Sequence, residues 1–95
     1  MVLKLKFESI VNKARIKIWW SMNAWKVAED MDPAAQVREV DVDLEIQGNK
    51  RHGYHLVMHP EGCNAGDSYY KIKDEALEAA KEIFGVSIES WYIKK

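Results

Sequence analysis

The sequence predicts an α+β domain with two layers: an antiparallel sheet of about five strands carrying two helices on one face, in the order β-β-α-β-β-β-α. Three observations predict it. Val40, Val42, Leu44 and Ile46 alternate with Glu39, Asp41, Asp43 and Glu45, the period-two signature of a half-buried strand. The run DEALEAAKEIF over 74–84 is rich in strong helix formers and is followed by Gly85, where a left-handed C-terminal cap is wanted. The first third also alternates, with Lys and Arg between apolar residues. With 95 residues the chain is one domain, 1–95, since compact domains typically run to ~100–150 residues.

From the start, Leu3, Leu5 and Phe7 alternate with Lys4, Lys6 and Glu8, and Ala14, Ile16, Ile18 and Trp20 alternate with Arg15, Lys17 and Trp19. Two strands joined near 11–13 fit this pattern. Phe7, Val11, Ala14, Ile18, Met22 and Trp25 also recur at spacings of three and four, so a single helix across both is the rival reading. The β-branched and aromatic content favours strands. After Ser21, a candidate N-cap, Ala24, Val27, Ala28 and Met31 form a helical stripe that ends before Asp32-Pro33. Beyond the strand at 40–46, residues 47–53 read as a polar turn, 54–59 as a second strand, 60–67 as a loop and 68–72 as a third short strand. In the helix at 74–84, Ala76, Leu77, Ala80, Ile83 and Phe84 make one apolar stripe, and a last extended piece falls at 91–93.

Composition bounds the function. The chain is 47% apolar and 31% charged, as folded domains are, and carries a formal net charge of -1, so no global field draws it to nucleic acid or anionic membrane. The single cysteine, Cys63, cannot form an internal disulfide, which makes the cytoplasm the expected compartment. MVLKLKFES lacks the continuous apolar run of a signal peptide, and no stretch approaches the ~20 apolar residues of a membrane span.

Local charge patterning carries more. Residues two apart on a strand share a face, so Glu39, Asp41, Asp43 and Glu45 form a row of carboxylates opposite the core. Lys4 with Lys6, and Arg15 with Lys17, form basic rows by the same logic. The plain reading is pairing between neighbouring strands; the functional reading is a surface that meets a basic protein partner. Trp19 belongs with it. Successive strand residues face opposite ways, so Trp20 continues Ala14, Ile16 and Ile18 inward while Trp19 joins Arg15 and Lys17 outward. Its ring either lies over Lys or Arg stems or anchors a partner, and Trp25 falls at the edge of the short helix near Met22.

Other chemistry is weakly specified. Asp41 and Asp43 stand ~7 Å apart at their backbones, within reach of a hard cation, but no third ligand or Gly-rich phosphate loop accompanies them. His52, His55, His59 and Cys63 have helical spacing, yet Gly53, Pro60 and Gly62 interrupt the segment. On a strand His55 and His59 lie ~13 Å apart, too far to share an ion. No metal and no cofactor is predicted. Cys63, His59 and Asp67 can be drawn as a nucleophile, base and orienting acid, without any signature that specifies the arrangement, and no catalytic residue is assigned.

The segment Gly66-Asp67-Ser68-Tyr69, followed by Glu75-Ala76, Ala79, Phe84-Gly85-Val86 and Trp91, resembles a pattern in short, mostly uncharacterised bacterial proteins, some of them immunity-like. Tyr69 stands where that pattern more often has Trp. The resemblance covers the C-terminal third and implies a non-catalytic protein that binds a protein partner, as immunity proteins block a toxin with an acidic surface. The expectation is therefore a non-enzymatic interaction domain using Glu39, Asp41, Asp43, Glu45 and Trp19. The alternative is a small-ligand or enzymatic domain built on the 52–67 loop region. A third reading, single-stranded nucleic-acid binding through Lys4, Lys6, Arg15 and Lys17 with exposed aromatics, is opposed by the adjacent acidic row and the net charge.

Overall fold

The computed structural model describes residues 8–22 and 24–93. Strand β1 (Glu8–Ser21) turns into β2 (Ala24–Val27), a crossing segment with a 3-10 turn at Ala34–Gln36 leads to β3 (Val37–Asn49), and β4 (Gly53–Pro60), β5 (Gly66–Tyr70), helix α1 (Lys73–Phe84) and β6 (Tyr92–Ile93) follow. The strands form one antiparallel sheet in the order β2-β1-β3-β4-β5, with β6 paired to β1. This sheet curls into a half-barrel.

The expected arrangement of two helices on a flat sheet is therefore corrected. Strands take 54% of the described residues and there is one α-helix beside short 3-10 turns. The segment expected as the first helix is instead β2 and the crossing segment 28–36. The helical stripe had nothing to bury against: Met31 is 93% exposed and Ala24 is exposed, while Trp25 and Val27, two apart, pack against the core as a strand pair does. Ser21 caps no helix; it pairs with Ala24 across the hairpin. Nor does the chain turn at 11–13, since β1 runs unbroken and pairs with β3 from Glu8↔Gly48 to Trp19↔Val37. Ile10 and Asn12 hold the same phase as Ala14, Ile16 and Ile18, so nothing forces a break, and the one-helix rival for this region is also overturned. The expected strand through Leu3, Leu5 and Phe7, and its Lys4 and Lys6, lie outside the described residues.

β3, β4 and α1 stand close to where periodicity put them, and 92–93 pairs with Val11 and Ile10. β5 falls two residues earlier than the expected 68–72, leaving Ile72 exposed, and Ile83, expected in the apolar stripe of the helix, is 41% exposed. Gly85 caps α1 at φ 72° and donates its N–H to the Lys81 carbonyl at 2.9 Å, which closes the last turn at a backbone angle only glycine adopts cheaply.

The curl sorts side chains by parity. Even-numbered residues of β1, β3 and β4 face the concave side, where Ala14, Ile18, Val40, Val42, Leu44, Ile46, Tyr54, Leu56 and Met58 form the core with Ala76, Leu77, Ala80 and Phe84 of α1. Odd-numbered residues face the convex side. No helix among the described residues is long and apolar enough to cross a membrane.

Candidate interaction surface

The β1–β3 register brings the convex charges together. Lys13 stands opposite Asp43, Arg15 opposite Asp41 and Lys17 opposite Glu39. Arg15 spans two positions, with Nε donating to Glu39 Oε1 at 2.8 Å and Nη1 to Asp41 Oδ1 at 2.9 Å. The Asp41 bond first, then Glu39, raises the guanidinium's pKa. Lys13 Nζ reaches Asp43 Oδ1 at only 3.9 Å, and Ser9 Oγ donates to Glu45 Oε2. All four predicted carboxylates thus line one face, and part of each charge is answered inside the chain. Much of the Glu39, Asp41 and Asp43 side chains stays exposed, at 51%, 58% and 69%. Glu39 Oε2 and Asp41 Oδ2 make no hydrogen bond among the described residues.

Trp19 lies at the end of this face, half-buried. Segment 28–36 has to cross β1 to reach β3, and it does so over Trp19: Gln36 Oε1 accepts the indole Nε1 hydrogen at 3.0 Å. Lys26, on the neighbouring β2, sets its ammonium 5.5 Å from the ring centroid. Lys26 also pairs with Asp32 Oδ1 at 3.1 Å, and Asp32 Oδ2 accepts the Glu29 N–H at 2.8 Å. That backbone bond first, with Lys26 behind it, holds the Asp32 carboxyl below the usual carboxylate range. Of the two expected arrangements, the ring beneath a lysine is the one found.

A second feature, at the concave mouth between β2 and β5, escaped the sequence reading. Trp20 faces inward by parity, but at the open end, and is 40% exposed rather than core. The Arg38 guanidinium stacks 4.8 Å from its ring centroid. Arg38 Nη2 donates to the Glu61 carbonyl at 3.2 Å and approaches Cys63 Sγ at 3.5 Å, while its Nε is buried without a partner among the described residues. Trp25, cross-strand from Trp20, donates Nε1–H to the Asn64 carbonyl at 2.8 Å. Its ring lies over Gly66, where a Cβ would meet indole Cζ2 at 3.1 Å. A cavity of about 220 Å³ remains, lined by Trp20, Met22, Trp25, Cys63 and Asn64 among others. The sequence did hold one signal for this site: Arg38 occupies the inward phase of Val40 and Val42, and a charge in a core phase needs a partner.

The histidines disperse. His59 sits on the convex side opposite Asp43, and Cys63 packs beside Arg38, so the Cys63-His59-Asp67 grouping is not assembled. Asp67 instead takes His55, with Nδ1 and Oδ1 3.0 Å apart, and Tyr69 meets the His55 ring edge-on at a centroid distance of 5.2 Å. No group of three or more His, Cys, Asp or Glu residues among the described ones could hold a metal ion. The chain matches no protein-family model, no curated protein and no solved structure.

Proposed function

We propose that the chain is a non-enzymatic protein-interaction domain, of the immunity-like kind its C-terminal motif suggests, and that it meets a basic protein surface with the convex face of β3. The observation that supports this most is the Arg15 clamp. One guanidinium holds Glu39 and Asp41 side by side and leaves an oxygen of each unbonded among the described residues, with Asp43 and Glu45 continuing the row. A carboxylate already fixed in position loses less side-chain freedom when a partner's Arg or Lys arrives, and a row of them steers encounter with a basic surface.

The double reversal Asp41→Lys/Asp43→Lys tests it. Both side chains are exposed and the inward Val40, Val42 and Leu44 are untouched, so the fold should persist by circular dichroism. Partners cross-linked to the native chain in lysate should fall at least about tenfold with the reversed one, as loss of ~1.4 kcal/mol would give. Equal recovery by both chains would remove this face from consideration.

A further inference from the structure

Strand β1 has one fully paired edge and one interrupted edge. Towards β3 it pairs without a gap from Glu8 to Trp19. On the other side, among the described residues, it is paired only near its ends: Ile10 and Val11 with β6, and Ile18, Trp19, Trp20 and Ser21 with β2. The Lys17 carbonyl accepts the Ala28 N–H at 3.0 Å, just past the end of β2. Between these lies a window at 13–16, closed at one end by Asn12, whose Nδ2 donates to Ser90 Oγ at 2.7 Å, and at the other by Ala28.

Antiparallel strands send the N–H and C=O of one residue the same way and alternate from residue to residue. The Lys17 carbonyl points to the interrupted edge, so Lys13 and Arg15 address that edge too. Lys13 confirms the phase, since its N–H is taken up by the Asn12 side-chain Oδ1 at 2.8 Å rather than by β3. The Lys13 C=O, both Arg15 groups and the Lys17 N–H have no backbone partner among the described residues. These are the groups that an added strand uses.

We propose that this window takes an extended segment of a partner protein as an added antiparallel strand, and that the segment alternates acidic and apolar residues. The two edges of a strand share the same two faces, so an added strand meets the side chains that β3 already meets. On the convex side those are Lys13, Arg15 and Lys17. Lys17 makes no ion pair among the described residues, and Lys13 is 74% exposed with only its 3.9 Å contact to Asp43. On the concave side they are Ala14, in the core, and Ile16, which with Val27 and Trp91 is partly buried against it. β3 answers this pattern as Glu-Val-Asp-Val-Asp-Leu-Glu over 39–45, and the same chemistry suits the open edge. The partner is selected by charge as well as by shape. A β1 strand from a second copy would set Lys and Arg against Lys and Arg, which is how edge strands avoid self-pairing. The bounded length admits about four residues, or ~13 Å of strand. This surface uses the opposite charge to the β3 row and stands whether or not that row binds a partner.

The probe is a synthetic end-capped peptide, Val-Asp-Val-Asp, the sequence with which β3 answers 13–16, titrated into the full 15N-labelled chain. Saturable amide shifts and slowed hydrogen exchange at Arg15 and Lys17 are expected. Binding should weaken at least about tenfold for a peptide of the same composition with its acidic residues blocked together. It should weaken similarly for Lys17→Pro, which removes the edge N–H from a position that donates nothing to β3, and for Lys13→Gln/Lys17→Gln should the proline variant fail to fold. No saturable shift at Arg15 and Lys17 by about 1 mM, equal binding of the blocked peptide, shifts centred on β3 from strand exchange, or shifts that depend on protein concentration without peptide each overturn the proposal.

Discussion

The two ends of the half-barrel are closed by different physics. At one end α1 lays Ala76, Leu77, Ala80 and Phe84 on the concave face, and all four are buried. At the other, between β2 and β5, two indoles and an arginine reach the 61–65 loop through directional contacts. Met22 at that mouth is 94% exposed. Burying a side chain such as Leu77 or Phe84 contributes ~1.5–3 kcal/mol, whereas one hydrogen bond nets ~0.5–1.5. The helix end therefore carries the stability, and the mouth is the part able to rearrange without global unfolding.

The contrast breaks first at the helix. Phe84→Ala should cost about 3–5 kcal/mol, read from the shift of the urea midpoint, because it leaves a cavity between α1 and the sheet. A loss below about 1 kcal/mol would mean that the helix end does not anchor the fold. At the mouth Gly66→Ala is the sharper probe. The new Cβ would press on the Trp25 ring at 3.1 Å, so the indole, held by its Asn64 bond, or the strand must give by a few tenths of an ångström. Overpacking of this kind typically costs ~1–3 kcal/mol. Tryptophan fluorescence should red-shift as the ring is displaced, while the helical circular dichroism signal holds. If both signals change together in one transition, the two ends are a single cooperative unit.

What could be read in advance follows the same division. The β3 row and α1 were legible because each has a long segment with a single period, and the outward placement of Glu39, Asp41, Asp43, Glu45 and Trp19 follows from parity alone. β2 was not legible: at four residues it offers one alternation, Trp25 and Val27, against a chance helical stripe through Ala24, Val27, Ala28 and Met31. Only the hairpin with β1 and the core beneath Trp25 decide between them. The curl is a property of how strands meet, and no strand's sequence states it. That is why Trp20, inward by parity, was expected in a core that does not extend so far. The Arg15 clamp was half visible, since basic and acidic rows were expected to pair. That one arginine would serve two acids depends on register, with Arg15 directly opposite Asp41 and one alternation from Glu39.

The smallest effects come from pH, and they divide the two ends again. Tyr54, 4% exposed beneath α1, has its phenol pushed up first by burial and then by Glu8, to whose Oε2 it donates at 3.3 Å. Its folded pKa lies above the unfolded ~10, so its contribution is complete below that pH and is lost as pH climbs through the folded value. Asp32, in the crossing segment beside Trp19, is shifted the other way by the Glu29 N–H and Lys26. Its contribution is present above the unfolded ~3.9 and fades as pH falls through the lower folded value. Alkali should therefore disturb the helix end, seen as Tyr54 ionising last in a 295 nm titration. Acid should loosen segment 28–36 and change Trp19 emission, and Asp32→Asn should remove that acid-dependent step while leaving the alkaline one. A Trp19 response that survives Asp32→Asn would place the acid-sensitive group outside the Asp32 contacts to Glu29 and Lys26.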